Sequence, residues 1–142
     1  MLNIYNYTAI LLFIFSLLTF LKDTKNKRVR SLLLFSIIWL ILYEGLRWQI
    51  GTDWDSYYTL FFNEEESNHG EIGYMVLMQI VHLFSNDYSV FLLLITSFFY
   101  LTLWSFLGKY SYAPLMSLTI YYCLILGLLG SNRQLIALFI CL

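Results

Sequence analysis

Charge is scarce in this chain. Asp, Glu, Lys and Arg make up 12% of its 142 residues, about half the roughly 25% of an ordinary soluble domain. With 60% of residues hydrophobic and a mean hydropathy of +0.70, water is excluded as the solvent for most of the surface, and the bilayer takes its place. One proline and seven glycines exclude a disordered, low-complexity chain. A net charge of −1, with no basic stripe interleaved with exposed aromatics, excludes a nucleic-acid partner. Cysteine occurs twice, at Cys123 and Cys141, inside apolar runs and without metal-ligand spacing or a nearby His. Both read as buried small hydrophobes rather than metal ligands.

Long apolar runs are what the chain has instead. They cover Ile4–Leu21, Ser31–Tyr43, Tyr88–Leu107 and Ala113–Leu129. The first is not a secretion signal, because nothing basic precedes it and Lys22 to Arg30 follow it, the reverse of a signal peptide. About 20 helical residues cross the ~30 Å hydrocarbon core, so the second run crosses only if it continues to Leu46 or Trp48. The spacing predicts membrane segments over 4–21, 31–48, 88–107 and 113–129, with an incomplete fifth over 133–142. The fold class is all-α: a polytopic membrane protein forming one integral-membrane domain over 1–142. Lys22, Lys25, Lys27, Arg28 and Arg30 crowd one short loop, and Lys109 lies in the next loop on the same side. The positive-inside rule makes both loops cytoplasmic. The N-terminus, the 49–87 connection and the 130–134 turn are then outside, and Arg47 and Arg133 are the two cations on that side.

The outer connection carries structure of its own. Thr52-Asp-Trp-Asp55 matches a capping box and predicts a short interfacial helix through Tyr57–Phe62. Between Glu71 and Phe84 the chain is apolar but too short to span. Glu71, Gln79 and His82 fall within about 80° on a helical wheel at 100° per residue, with Met75 and Met78 between them. That pattern predicts a helix that lies at the outer interface, or dips in and returns, with one polar stripe. Leu135–Leu142 is an apolar run of eight residues with no interfacial anchor, which reads as the interrupted fifth segment of an N-terminal fragment.

The densest cluster of polar chemistry is Glu44–Tyr58: one arginine, three carboxylates, two glycines and four aromatics in fifteen positions. Ionisable groups at membrane depth are costly and mark ligand sites by default. Arg47 is either a snorkelling lipid anchor or an anion ligand. Arg133 opens a helix after Ser131 and Asn132, both suitable caps, and a guanidinium beside free helix N–H groups suits a diphosphate. Asp55 completes the capping box. Asp53, free of that duty, could orient Arg47 or accept a proton from a hydroxyl nucleophile. Glu71 is either a first-turn dipole partner or a catalytic carboxylate. Trp48, Trp54, Tyr57 and Tyr58 form either an aromatic belt at the headgroups or a stacking platform for sugar rings. His69 reads as a solvated loop residue and His82 as an interfacial polar tip.

Three blocks together, Gly45-Leu-Arg-Trp-Gln-Ile-Gly-Thr-Asp-Trp-Asp-Ser-Tyr57, Glu71-Ile-Gly-Tyr74 and Asn132-Arg-Gln-Leu-Ile-Ala137, resemble the EpsG family, polytopic bacterial membrane proteins of the Wzy-like polysaccharide polymerase group. The resemblance covers nearly all of the chain but only the first third to half of such a polymerase, so this stretch alone is expected to be inactive. It implies an all-helical bundle in the bacterial cytoplasmic membrane, with substrate at its outer face. The implied reaction transfers a glycan from polyprenyl diphosphate to a hydroxyl of a second lipid-linked repeat unit. In that scheme Arg47, Arg133 and Gln134 hold the diphosphate, Asp53 and Glu71 are the candidate acid–base residues, and Trp48, Trp54 and Tyr57 grip the sugar. A lipid diphosphate is already activated, so no nucleotide or metal cofactor is required. The implied partners are the polyprenyl-diphosphate-linked oligosaccharide, the bilayer, and chain-length regulator and flippase proteins. Two other readings stand beside the polymerase: a subunit that exports lipid-linked glycan without bond chemistry, and an inactive or sensory membrane fragment whose motifs are interface anchors.

Overall fold

The computed structural model describes residues 4–20, 26–49, 54–62 and 72–125. Among the described residues the chain is all-helical, with no strand. The helices are α1 (Ile4–Thr19), α2 (Lys27–Gly45), α3 (Trp54–Phe62), α4 (Ile72–His82), α5 (Tyr88–Tyr110) and α6 (Pro114–Ile125). They divide into two compact units, and α2 and α5 each contribute one end to both. The first unit takes residues 1–40 and 100–128; the second takes 41–99.

Local chemistry sets the starts. Asn26 caps α2: its Oδ1 accepts the Arg28 N–H at 3.0 Å and its carbonyl accepts the Arg30 N–H at 3.2 Å. Asp87 caps α5 in the same way, its Oδ1 accepting the Ser89 N–H at 2.9 Å. That carboxylate also places a negative charge at the positive end of the helix dipole, while Lys109 sits in the last turn at the other end. Pro114 occupies the first position of α6, where a missing N–H costs nothing.

In the first unit α1 is inside-out relative to a helix of a protein in water. On α1 the buried stripe is Thr8, Leu12, Ser16 and Thr19, whereas Tyr7, Ile10, Phe13, Ile14, Leu17 and Leu18 are exposed. The buried hydroxyls of Ser16, Ser36 and Thr119 are satisfied by their own helices. Ser16 donates to the Phe13 carbonyl at 2.8 Å, Ser36 to Leu32 at 2.9 Å and Thr119 to Leu115 at 2.8 Å. No water or second helix is needed, and the small side chains let backbones approach. α1 packs against α6. An outer face this apolar would associate in water but matches lipid.

Helix α5, at 23 residues, is long and apolar enough to cross a membrane by length and composition; among the described residues it is the only one. α1 and α6 are apolar but shorter. α2 differs from its expected span. It runs over 27–45 rather than 31–48, because the Asn26 cap draws Lys27, Arg28 and Arg30 into its first turns, and it ends before Arg47 and Trp48. Its 19 residues measure about 28 Å at 1.5 Å per residue, a length gained at the basic end. The limits expected over 113–129 and 133–142 extend beyond Ile125 and so lie outside the described residues.

Cys123 is exposed rather than buried. It falls to one side of the inward stripe of α6, formed by Leu115, Leu118, Thr119 and Tyr122. Cys141 lies outside the described residues.

Candidate functional site at the end of helix α2

The second unit is built around aromatic rings. Trp54, Tyr57 and Phe61 recur at i, i+3 and i+7 along α3 and are all buried. They meet Tyr74, Met78 and Val81 of α4 and Tyr88, Phe91, Leu92 and Ile95 of α5 in one core. Trp54 stacks on Tyr58 at 4.8 Å and 17°, and takes Trp48 and Tyr88 edge-on at 5.1 and 5.7 Å. Tyr57 contacts Tyr74 at 5.5 Å, and Tyr74 meets Phe91 at 5.3 Å. Each such pair adds about 0.5–1.5 kcal/mol beyond the area it buries.

Against this core the last turn of α2 arrives by an unusually close approach. A Cβ on Gly45 would lie 2.8 Å from Thr96 Oγ1, 3.0 Å from Leu93 Cα and 3.2 Å from Leu93 Cγ. Only glycine lets the two backbones meet here. The Thr96 hydroxyl is turned back onto the Leu92 carbonyl at 2.9 Å, so it presents no unmet polar demand to the incoming helix. The contact seats two ionisable side chains in the interior: Glu44 is 1% exposed and Arg47 6% exposed. Neither is without partners. A lipid-phosphate anchor must reach outward, so burial counts against the snorkelling reading of Arg47. Burying each charge costs several kcal/mol unless it is paired or hydrogen-bonded.

Beyond Arg47 the chain turns sharply. Gln49 has φ of 52°, in the left-handed region that a non-glycine residue seldom adopts. Replacing Gln49 by Gly should leave the apparent melting temperature in detergent unchanged or raised. Gln49→Val should lower it, by the equivalent of about 1–3 kcal/mol for a strained residue. Equal melting temperatures for all three chains would show that this turn carries no constraint.

The sequence-predicted residues divide as follows. Arg47 is buried, Trp48 is 57% exposed, and Trp54 and Tyr57 are each 4% exposed. Of the three proposed sugar-gripping aromatics, Trp48 is therefore the one with a free face, and Trp54 and Tyr57 have their rings occupied by neighbouring rings. Asp55 is exposed in the first turn of α3, a favourable place for a negative charge. Asp53, Glu71, Arg133, Gln134 and the capping residue Thr52 lie outside the described residues.

His82 does more than an interfacial tip would. Its ring stacks on Phe61 at 4.2 Å, its Nε2 lies 3.1 Å from the Phe61 carbonyl, and its Nδ1 lies 3.2 Å from Asn86 Oδ1. Because a carbonyl only accepts, Nε2–H is the donor to Phe61, and the contact latches the end of α4 to the end of α3. Met78, expected within the polar stripe, is buried instead with Tyr74 and Val81. Gly45 and His82 were both visible in the sequence; what gave them work was a neighbour far along the chain.

The EpsG family model matches residues 30–142. The chain belongs to the EpsG family. No curated protein and no solved structure matches it. The matched region takes in the end of α2, the aromatic core and α5, so the buried Glu44 and Arg47 belong to the EpsG part of the chain; α1 precedes it.

Proposed function

We propose that this EpsG-family chain forms part of a membrane polysaccharide polymerase, contributing residues that hold a polyprenyl-diphosphate-linked glycan while it is transferred to a lipid-linked repeat unit. The observation that carries the reading is the burial of both Arg47 and Glu44 at the end of α2, inside the family-matched region. In the transfer, a sugar hydroxyl of the acceptor forms a bond to the anomeric carbon of the donor. The bond from that carbon to the diphosphate breaks, and polyprenyl diphosphate leaves with the electron pair. The hydroxyl proton passes to a carboxylate, for which Asp53 and Glu71 are the candidates. Charge develops on the diphosphate, where preorganised cations act most strongly; Arg47, with Arg133 and Gln134, is assigned there. Trp48 offers its free face to a sugar ring.

The same proposal takes α1, α2, α5 and α6 as four crossings of the bacterial cytoplasmic membrane, with the N-terminus outside and a fifth segment over 133–142. Lys27, Arg28 and Arg30 are exposed in the first turns of α2, where the helix dipole disfavours cations. A requirement other than helix stability keeps them there, and cytoplasmic anchoring supplies one. With Cys123 and Cys141 changed to serine, single cysteines at Asn26 and Lys109 should be shielded from an impermeant thiol reagent in intact cells. Cysteines at Ser67 and Ser131 should be labelled, and the opposite pattern would invert the topology and remove the diphosphate assignment.

The activity itself is tested in a full-length EpsG-family relative carrying this segment, by supplying lipid-linked repeat units to membranes that contain it. The expected result is a ladder of longer lipid-linked glycans with release of polyprenyl diphosphate. Binding of the lipid-linked glycan without elongation would favour an export role instead.

A further inference from the structure

Helix α4 has three faces, and the aromatic core uses only one. At about 100° per residue, Tyr74, Met78 and Val81 form the inward face, at 3%, 4% and 4% exposure. Nearly opposite lie Val76 and Ile80, 48% and 47% exposed, continued by Leu83 and Phe84 at 79% and 84%. The last two stay in helical register, because the Phe84 and Ser85 N–H groups both bond to the Val81 carbonyl, at 2.9 and 2.8 Å. Between the two apolar faces runs a polar flank of Gln79 and His82, both exposed.

We propose that α4 is embedded in the membrane as a non-crossing helix, with Val76, Ile80, Leu83 and Phe84 in the hydrocarbon of the leaflet at the N-terminal end of α5. Three observations support this placement. Eleven residues reach about 16 Å at 1.5 Å per residue, half of the ~30 Å core, so α4 enters a leaflet without traversing it. The helix cannot roll to hide the stripe, because the His82 ring is held against Phe61 by stacking at 4.2 Å and by the Nε2 contact to its carbonyl. Finally, the Leu83–Phe84 turn opens directly onto α5, the helix long enough to cross. The first turns of α5 likewise leave an apolar stripe exposed at Val90, Leu94 and Phe98, to 37%, 40% and 62%. The hydrocarbon that must already meet α5 can thereby take α4 as well, and the polar flank with Ser85, Asn86 and Asp87 marks the headgroup level. The placement is independent of the polymerase reading and holds equally for a non-catalytic chain.

The test uses the full chain in phospholipid vesicles, with Cys123 and Cys141 replaced by serine and single spin labels at Leu83, Phe84 and, as an aqueous reference, Ser56 on the exposed side of α3. Labels at Leu83 and Phe84 should collide readily with oxygen and be shielded severalfold, relative to Ser56, from a water-soluble nickel chelate. Access to the chelate equal to that at Ser56 would place the turn in water and overturn the proposal. Poor access to both reagents would mean that a second copy or another protein covers the turn, which would also overturn it. Because label sites can perturb folding, the unsubstituted chain is tested as well, in vesicles holding a phospholipid with a photoreactive group in its acyl chain. Adducts are expected on Leu83 or Phe84; labelling of Leu94 and Phe98 with none at the turn would refute the embedding.

Discussion

Replacing Arg47 by alanine in a full-length EpsG-family relative carrying this segment is expected to cut elongation of a lipid-linked glycan by at least ~10²-fold, the loss of one preorganised charge contact worth about 3 kcal/mol. At 6% exposure the guanidinium acts in a medium where water screens it little, which makes each contact it forms with a diphosphate stronger than the same contact at the surface. Lysine should rescue only in part, since an ammonium cannot present two parallel donors to phosphate oxygens. Melting temperature is measured beside activity, because removing one member of a buried polar group also destabilises the fold. If Arg47→Lys elongates normally, the fork geometry is irrelevant and the clamp is withdrawn. If Arg47→Ala loses activity only in proportion to folded protein, Arg47 is a structural residue.

The second large effect is expected at Gly45. Alanine there places a methyl group 2.8 Å from Thr96 Oγ1 and 3.0 Å from the Leu93 backbone. A side chain can turn away but a backbone cannot, so α2 and α5 must separate by several tenths of an ångström. Overpacking of this kind costs about 1–3 kcal/mol, seen as a lower melting temperature in detergent, and Gly45→Leu should prevent stable folding. Thr96→Ala added to Gly45→Ala removes the nearest clashing atom while leaving Leu93 in place, so stability should recover in part. Gly45→Ala as stable as the parent chain would mean that the crossing is looser than its geometry indicates.

Patterns contained within one helix were legible in the sequence. The Thr52–Asp55 capping pattern ahead of Tyr57–Phe62 predicted α3, and the run from Tyr88 predicted α5 within a few residues, because capping signals and run length are local properties. The chain's family was legible as well, from three short blocks of motif. The start of α2 was not, since the apolar run began at Ser31 and the Asn26 cap with its basic first turn carries no hydrophobic signal. The C-terminal limit of α2 was missed for a related reason. Leu46 and Trp48 look like a continuing membrane helix, but the chain leaves the helical path at Leu46, just before Arg47. Least legible were the relations across long separations: Gly45 against Leu93 and Thr96, and His82 against Phe61. Nothing in the composition around a glycine or a histidine states which distant backbone will approach it. For the same reason the four aromatics of the Glu44–Tyr58 segment looked equivalent, whereas packing leaves Trp48 exposed and buries Trp54 and Tyr57.

The apolar part of helix α5 runs from Tyr88 to Leu107, about 30 Å at 1.5 Å per residue, close to the ~30 Å of hydrocarbon in an average bilayer. As a crossing, such a helix would match an average bilayer and would tilt only where the membrane is thinner. Asp87 caps one end and Lys109 marks the other, so neither end can sink freely to absorb the difference. On the proposed placement, α5 would therefore tilt more in lipids with shorter acyl chains than in lipids of average length.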